Sequence, residues 1–499
     1  AKRPVFSNKV LFPAKARNVR GLIEKKTLYK ENEWVRGCHL SQAKPQLVTA
    51  SDLFPLRAYL RLFDHQPINM IVTPSKNGNR FVPSFLLHIH PRRVQMETLR
   101  FTLSFGLGGM SATLVLLLFI TGILQILSYS PDISVAYDSV EAMYTSGNLS
   151  GWTRNIHYWS GNLLVVLVTL HCLRVYLTGA ASGSRRRNWY IGLLLLGLVV
   201  FANFSGYLLP WDQLAFWAVT IFTNMVGYIP MVGEDIVQLL RGGSEIGPAT
   251  LANFYALHTA WLPFCLVCCL IYHFWLIRKN GGLIRRENST TSSPDSVPVV
   301  PHLIVREAAV GLGLVAIVLF FAALFDAPLD EMANPALSPN PAKAAWFFMG
   351  LQELLMHLHP IFAICIIPIL ALGALIFIPC IRETGLPGGY WFGGQGGHRL
   401  ALQTIFCSAC FTFAFVILDE VIKNGGEGAA TDIITRGVIP VTGLLFLYTG
   451  SYFLLTKKLK YTRAEAVMAG FIFSVTAVIC LTVTGIWLRG PGMQLTFFI

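Results

Sequence analysis

The chain has 499 residues, of which 54% are hydrophobic and only 13% charged, with a formal net charge of +13. Its mean hydropathy of +0.56 excludes an ordinary water-soluble globular protein and points to an integral membrane protein. The basic residues fall beside apolar runs instead of forming one patch, so membrane orientation accounts for the charge and no nucleic-acid partner is expected.

Residues 1–95 read as a polar, basic extramembrane extension, with one amphipathic piece at 52–64, "DLFPLRAYLRLFD", suited to lying on a membrane surface. No charged n-region with a short apolar core and cleavage site precedes the first span, so no secretory signal peptide is expected. Apolar runs of roughly 20 residues, enough to cross a bilayer, follow near 101–128, 160–178, 190–209, 254–277, 305–325, 360–380, 400–419, 437–456 and 465–488. Arg92, Arg93 and Arg100 precede the first run. Arg185, Arg186 and Arg187 join the second to the third, Arg278, Lys279, Arg285 and Arg286 follow the fourth, and Lys457, Lys458, Lys460 and Arg463 follow the eighth. The positive-inside rule puts these segments in the cytoplasm. The intervening loops, with Asp132, Asp138, Glu141, Asp212, Glu234, Asp235, Asp326, Asp330 and Glu331, then face the positive side.

A Ser/Thr/Pro-rich linker, "NSTTSSPDSVPVVP" at 288–301, separates a four-span core (96–287) from a three-span part (302–425). Two additional spans occupy 426–499, and a Gly-rich connector, "GLPGGYWFGGQGG" at 385–397, follows the sixth span. Two CxxC pairs, Cys265 with Cys268 and Cys407 with Cys410, lie inside apolar runs and are not followed by His. They read as small packing residues and not as a haem-attachment motif, a disulfide framework or an iron–sulfur ligand set.

The second and fourth spans each carry two histidines, in "HYWSGNLLVVLVTLH" (157–171) and "HTAWLPFCLVCCLIYH" (258–273). At 1.5 Å per residue, His157 and His171 stand roughly 21 Å apart along a helix and His258 and His273 roughly 22 Å. If the two spans are neighbours, His157 faces His258 at one depth and His171 faces His273 at another. Each facing pair then supplies both axial nitrogens to the iron of one haem, so that two bis-histidine b-type haems form a transmembrane electron path. Ligands on this reading are His157 with His258, and His171 with His273. A spacing of 14 falls about 40° short of whole turns and one of 15 overshoots by about 60°. Pro263 marks the place where a kink or a π-bulge absorbs the extra residue.

The first and third spans repeat the interval with glycine, as Gly108 and Gly122, and Gly192 and Gly206. Glycine lets a helix backbone approach a flat porphyrin. Helix packing by small residues is the alternative for each pair taken alone. A transporter with a histidine proton relay needs polar groups converging at midplane on broken helices, whereas these histidines lie in two layers.

These residues resemble the cytochrome b family of quinol-oxidising cytochrome bc and b/f complexes. "RNIHYWSGNLLVVLVTLHCLRVYLTG", "GYLLPWDQLAFWAV" and "LLRGGSEIGPATLANFYALHTAWLPF" are similar to that family in order as well as composition, and the resemblance covers roughly residues 95–420. The 14 and 15 spacings are similar to the b/f branch, and the linker falls where that branch divides its chain. The resemblance implies an all-α integral membrane protein of about nine spans: a four-helix di-haem bundle followed by a subunit IV-like half. It implies haem-propionate or quinone-site roles for Arg154, Arg174 and Arg278. It places a quinol-oxidation pocket between "PWDQLAFW" (210–217) and "ANPALSPNPAKAAWFFMGLQELL" (333–355), with Phe216, Trp346 and Phe347 against the quinol.

Two positions depart from the family. Where it carries PEWY, this chain has Ala344, Ala345, Trp346 and Phe347, so the proton-accepting glutamate is absent; Glu353, His357 and His359 follow, with Glu353 the first candidate for the missing base. Gly106 stands where the b/f branch has a cysteine holding an extra covalent haem, and none is expected here. The function implied is that of a respiratory or photosynthetic quinol:acceptor oxidoreductase subunit. Its partners would be quinone, a Rieske iron–sulfur protein and c-type cytochrome subunits, in a homodimeric core of an energy-conserving membrane, with the prokaryotic cytoplasmic (inner) membrane expected. The alternative is a non-bifurcating haem b anchor linking the quinone pool to a multihaem partner.

Overall fold

The computed structural model describes residues 90–145, 149–285, 296–380, 385–425 and 433–496. The amphipathic piece at 52–64, nearly all of the N-terminal extension, Arg286 and most of the linker lie outside the described residues. Among those described, nine helices are long and apolar enough to span a membrane: Leu107–Ile126, Leu149–Leu177, Gly183–Tyr207, Pro248–Lys279, Val299–Leu324, Ile361–Cys380, Gln395–Ile422, Ile434–Lys458 and Arg463–Leu488. They correspond one to one with the nine apolar runs, and the chain is an all-α integral membrane protein. Its one small sheet is an antiparallel ribbon pairing Arg93–Gln95 with Ser296–Pro298.

Two boundaries differ from the sequence reading for physical reasons. The first span begins at Leu107 and not near 101 because Phe105 and Gly106 both adopt positive φ, 50° and 66°, which ends the short helix Phe101–Ser104. The second span begins at Leu149, well before its apolar run, because the polar turns at its start are buried and bonded. Asn155 donates to Ala322 O and to the Asp326 carboxylate, and Trp152 donates to Leu319 O. Helix here is stabilised by tertiary partners where hydropathy alone is silent.

In the four-span core, the second span packs on the first and third, and the third on the fourth, while the second and fourth do not pack closely on each other. The fifth span closes against the first and second. Leu114, Ile156, Leu164, Val199 and Val318 form the interior of this group. Side chains such as Leu116, Ile123, Phe320, Phe406 and Phe446 are exposed on the outside, as a lipid-facing surface requires. The seventh and ninth spans pack together and join the core through Tyr176, Trp189, Leu400, Met468 and Ile472. The Gly-rich connector is fastened where Gly389 N donates to Thr178 O at 3.0 Å and Trp391 Nε1 to Thr102 O at 3.0 Å.

At the opposite membrane face, a buried ion network ties the C-terminal spans to the short helix Met349–His357. Arg489 Nη2 lies 2.7 Å from Glu353 Oε1, its Nε 3.1 Å from both oxygens of that carboxylate, and its Nη1 3.1 Å from Glu420 Oε2. His357 lies between Glu353 (3.0 Å) and Asp419 (2.6 Å). Burial opposes ionisation of Glu353 but is outweighed by hydrogen bonds from His357 and Arg489 and by their charge, which hold the carboxyl below its ordinary value.

Arg489→Ala leaves that carboxylate buried without its main partner, and a loss of about 3–5 kcal/mol is expected, read as a lower Tm of the detergent-solubilised protein. Because Glu353 is depressed in the folded state, its contribution is full above the ordinary value of 4.5 and is lost as the pH falls through the lower folded value. Tm should therefore drop on acidification below about that value in the parent and less steeply in Arg489→Ala.

Candidate functional site

The four span histidines meet in two pairs. The ring centroids of His157 and His258 are 6.1 Å apart with planes at 72°, and those of His171 and His273 are 6.5 Å apart at 73°. A metal–imidazole nitrogen bond is about 2 Å, and adding about 1 Å from nitrogen to ring centre on each side gives a centroid separation of about 6 Å for two rings on one metal ion. Both pairs fit that requirement. The backbones of the second and fourth spans stay apart, which leaves the rings as the groups that meet between them.

The unequal spacing is reconciled by a π-helical turn at Leu257–Trp261, which contains His258 and runs into the α-helix Leu262–Lys279. A π turn accommodates one extra residue, so the interval of 15 behaves as 14 and His273 returns to the azimuth matching His171. Pro263 lies just beyond and cannot donate the backbone bond that a regular helix makes there. The helix widens where one of its bonds is already missing.

Each of the four spaced glycines sits against one histidine. A Cβ on Gly108 would lie 3.1 Å from His171 Cε1, on Gly122 3.3 Å from His157 Cε1, on Gly192 3.8 Å from His273 Cε1, and on Gly206 2.5 Å from His258 Cε1. In each case the space a side chain would fill is taken by an imidazole.

Two hydroxyls complete one level. Thr121 Oγ1 is 3.0 Å from His157 Nδ1, and Ser205 Oγ is 3.2 Å from His258 Nδ1, which also lies 3.0 Å from Ala202 O. Bonds at Nδ1 fix each ring's orientation and leave Nε2 for a metal. At the other level His273 Nδ1 is buried without a partner among the described residues. Thr121 and Ser205 were missed in the sequence, although each directly precedes one of the spaced glycines.

The three arginines differ in setting. Arg154 is buried and donates to Ala327 O at 2.8 Å and Pro328 O at 2.6 Å, so it fastens the segment after the fifth span. Arg174 is also buried and donates from Nε to Leu103 O at 2.8 Å, while its Nη2 has no hydrogen-bond partner among the described residues. A buried guanidinium nitrogen of this kind calls for an acceptor such as a carboxylate. Arg278 is exposed in the last turn of the fourth span.

The two loops expected to flank a quinol are zipped together. Asp212 bridges to Met332, accepts from Ala215 N at 2.8 Å and from Asp330 N at 3.1 Å, and Gln213 N donates to Glu331 O at 2.8 Å. Burial raises the Asp212 carboxyl above its ordinary value despite these bonds. Phe216 is buried in the cluster that Phe347 packs against, and Trp346 donates from Nε1 to Asn162 Oδ1 at 2.6 Å. Trp346, Phe347 and Phe216 thus share one aromatic region. Glu353 is fully buried, with its oxygens engaged by Arg489 and His357.

Comparison with known proteins bears on the same segment. The family described as Cytochrome b/b6/petB matches residues 95–281. Cytochrome b6 of Synechococcus elongatus is 40% identical over 175 residues, 35% of this chain and 81% of that protein. Cytochrome b6 of a Synechocystis strain is also 40% identical over 175 residues, 35% of this chain and 79% of that protein. A solved structure titled Hyperthermophilic respiratory Complex III shares the fold, with a TM-score of 0.55 and 20% identity over 77% of this chain and 90% of that one.

The glycine geometry separates two substitutions. Gly206→Ala drives a methyl into His258 and should cost about 1–3 kcal/mol. Gly192→Ala meets His273 only at van der Waals distance and should be neutral or stabilising by up to about 1 kcal/mol. Melting temperatures of the two purified variants test the contrast.

Proposed function

Because this chain belongs to the cytochrome b/b6 family, we propose that it is the di-haem cytochrome b subunit of a quinol-oxidising complex of the bc type. It moves electrons across the membrane between two quinone sites and contributes to proton translocation. The observation that carries this reading is the pair of histidine couples, at 6.1 and 6.5 Å, each ring backed by a glycine. Two b-type haems, when bound, supply reversible one-electron chemistry without an open coordination position.

The chain's own residues do the positioning. His157 with His258 hold one haem and His171 with His273 the other, while Thr121 and Ser205 keep the first pair in a single ring orientation. Arg174 offers its unpartnered Nη2 to a propionate. The glycines bring the first and third spans close enough to wall both levels, and Arg278 stands at the cytoplasmic end, where the basic flanks place it. Arg154, clamped to Ala327 and Pro328, holds the loop that borders the quinol region.

Quinol binds beside Trp346, Phe347 and Phe216 on the positive side. Trp346, tied to Asn162 five residues beyond His157, brings that region next to the first haem level. Glu353 takes the proton-accepting role that the absent PEWY glutamate has in the family. No iron–sulfur ligand motif is present in the sequence, so the high-potential acceptor is a Rieske iron–sulfur partner, with c-type cytochrome beyond it, in a dimeric complex.

The test is a redox-titrated visible spectrum of the purified protein with pyridine haemochrome quantification. Two b-type haems per chain with separate midpoint potentials are expected, and His258→Ala and His273→Ala should each remove one. A single haem in the parent, or none, overturns the reading.

A further inference from the structure

Glu353 is followed by a chain of titratable groups supplied by the C-terminal part of the molecule. His357 is one helical turn on, and its Nε2 lies 3.0 Å from Glu353 Oε1. Its Nδ1 lies 2.6 Å from Asp419 Oδ2, at the end of the seventh span. Side-chain exposure rises along the series, from 0% at Glu353 and 0% at His357 to 20% at Asp419. The ends of the fifth, seventh and ninth spans lie on one membrane face, together with the starts of the second and fourth. The series therefore opens on the His157–His258 side, where the quinol is read to bind.

We propose that His357 and Asp419 carry the quinol's proton from Glu353 to the aqueous surface on the positive side, so that the C-terminal half supplies the proton exit. This rests on the reading of Glu353 as the proton acceptor. The transfer is balanced as proton movement alone: a quinol O–H bond breaks as a Glu353 O–H bond forms, the proton passes to His357 Nε2, the Nδ1 proton passes to Asp419, and Asp419 releases it to water. The transfer leaves His357 as its Nε2–H tautomer, and the next passage begins once exchange of the ring proton has returned it to Nδ1.

The charges around the series suit transit and not storage. Arg489 contacts both Glu353 oxygens and also Glu420, so Glu353 stays ionised and ready to accept, yet holds a proton weakly once it has one. Glu353 and Asp419 flank the His357 ring, so two carboxylates stabilise the imidazolium that forms in transit. Imidazole is the side chain that takes a proton on one nitrogen and gives one from the other.

A purely structural clamp would use the same hydrogen bonds, so the test must spare them. Asp419→Asn keeps an oxygen for His357 Nδ1–H but cannot take the proton onward. In the purified complex with its haem spectrum intact, quinol oxidation should fall at least about 10-fold, and formate in the buffer should restore much of it, because the Asp419 side chain is partly exposed near the end of its span. Unchanged turnover, or a loss that formate does not relieve, overturns the relay. Glu353→Gln, checked for haem content, separates the two levels of the argument. If it abolishes turnover while Asp419→Asn does not, only the exit route fails. If both variants turn over normally, Glu353 is not the acceptor and the relay fails with it.

Discussion

Two helices in lipid must present imidazoles at the same two depths, and the rest of the core is arranged around that demand. A 14-residue interval leaves a residual rotation of about 40°, which is harmless only if the facing helix carries the same residual. The fourth span has 15 residues between its histidines and meets the condition through the π turn at Leu257–Trp261. Without it, pairing at one level would turn the other ring away by about 100°. The widened turn sits at the ligand itself, beside a proline that weakens the helix at that point.

Once the rings are in register, the neighbouring spans have little freedom. The first and third must come close enough to enclose the histidines, and they do so with glycine at the four contacts. The two levels are not equivalent. At the His157–His258 level both Nδ1 atoms are bonded and Gly206 touches its ring so closely that no side chain fits. At the His171–His273 level, His273 Nδ1 has no partner and Gly192 leaves ordinary clearance. The protein specifies ring orientation tightly at one end of the bundle and loosely at the other. Imidazole basicity, which rises when Nδ1–H is bonded, therefore differs between His258 and His273.

The spans, the paired histidines and the glycine interval were legible because each is a periodic signal along one helix. Their meaning was only partly legible, since periodicity does not say what fills the space opposite a glycine; that space holds an imidazole. Arg154 illustrates the same limit. It donates to carbonyls more than 170 positions away, and no local pattern encodes them. The start of the second span was hidden because its polar turns are paid for by contacts with the fifth. Glu353 stood out as a carboxylate near the expected loop, whereas its partner Arg489, and the Asp419 and Glu420 joined to it through His357 and Arg489, come from segments with no sequence link to it.

That network is costly to keep. Several charged groups lose hydration at the interface of the short helix with the seventh and ninth spans, and apolar residues of similar volume would hold such an interface equally well or better. A clamp alone therefore does not account for the choice of residues. Nor does it account for their order, with a buried carboxylate, a buried imidazole and a partly exposed carboxylate each within hydrogen-bond reach of the next. Ionisable groups at membrane depth persist where a charge or proton must move. In a chain that lacks the family's glutamate at its usual place, this is where such a path would have to be rebuilt. The seventh span brings the last carboxylate, and the ninth brings the arginine, to a helix that carries only the first two members.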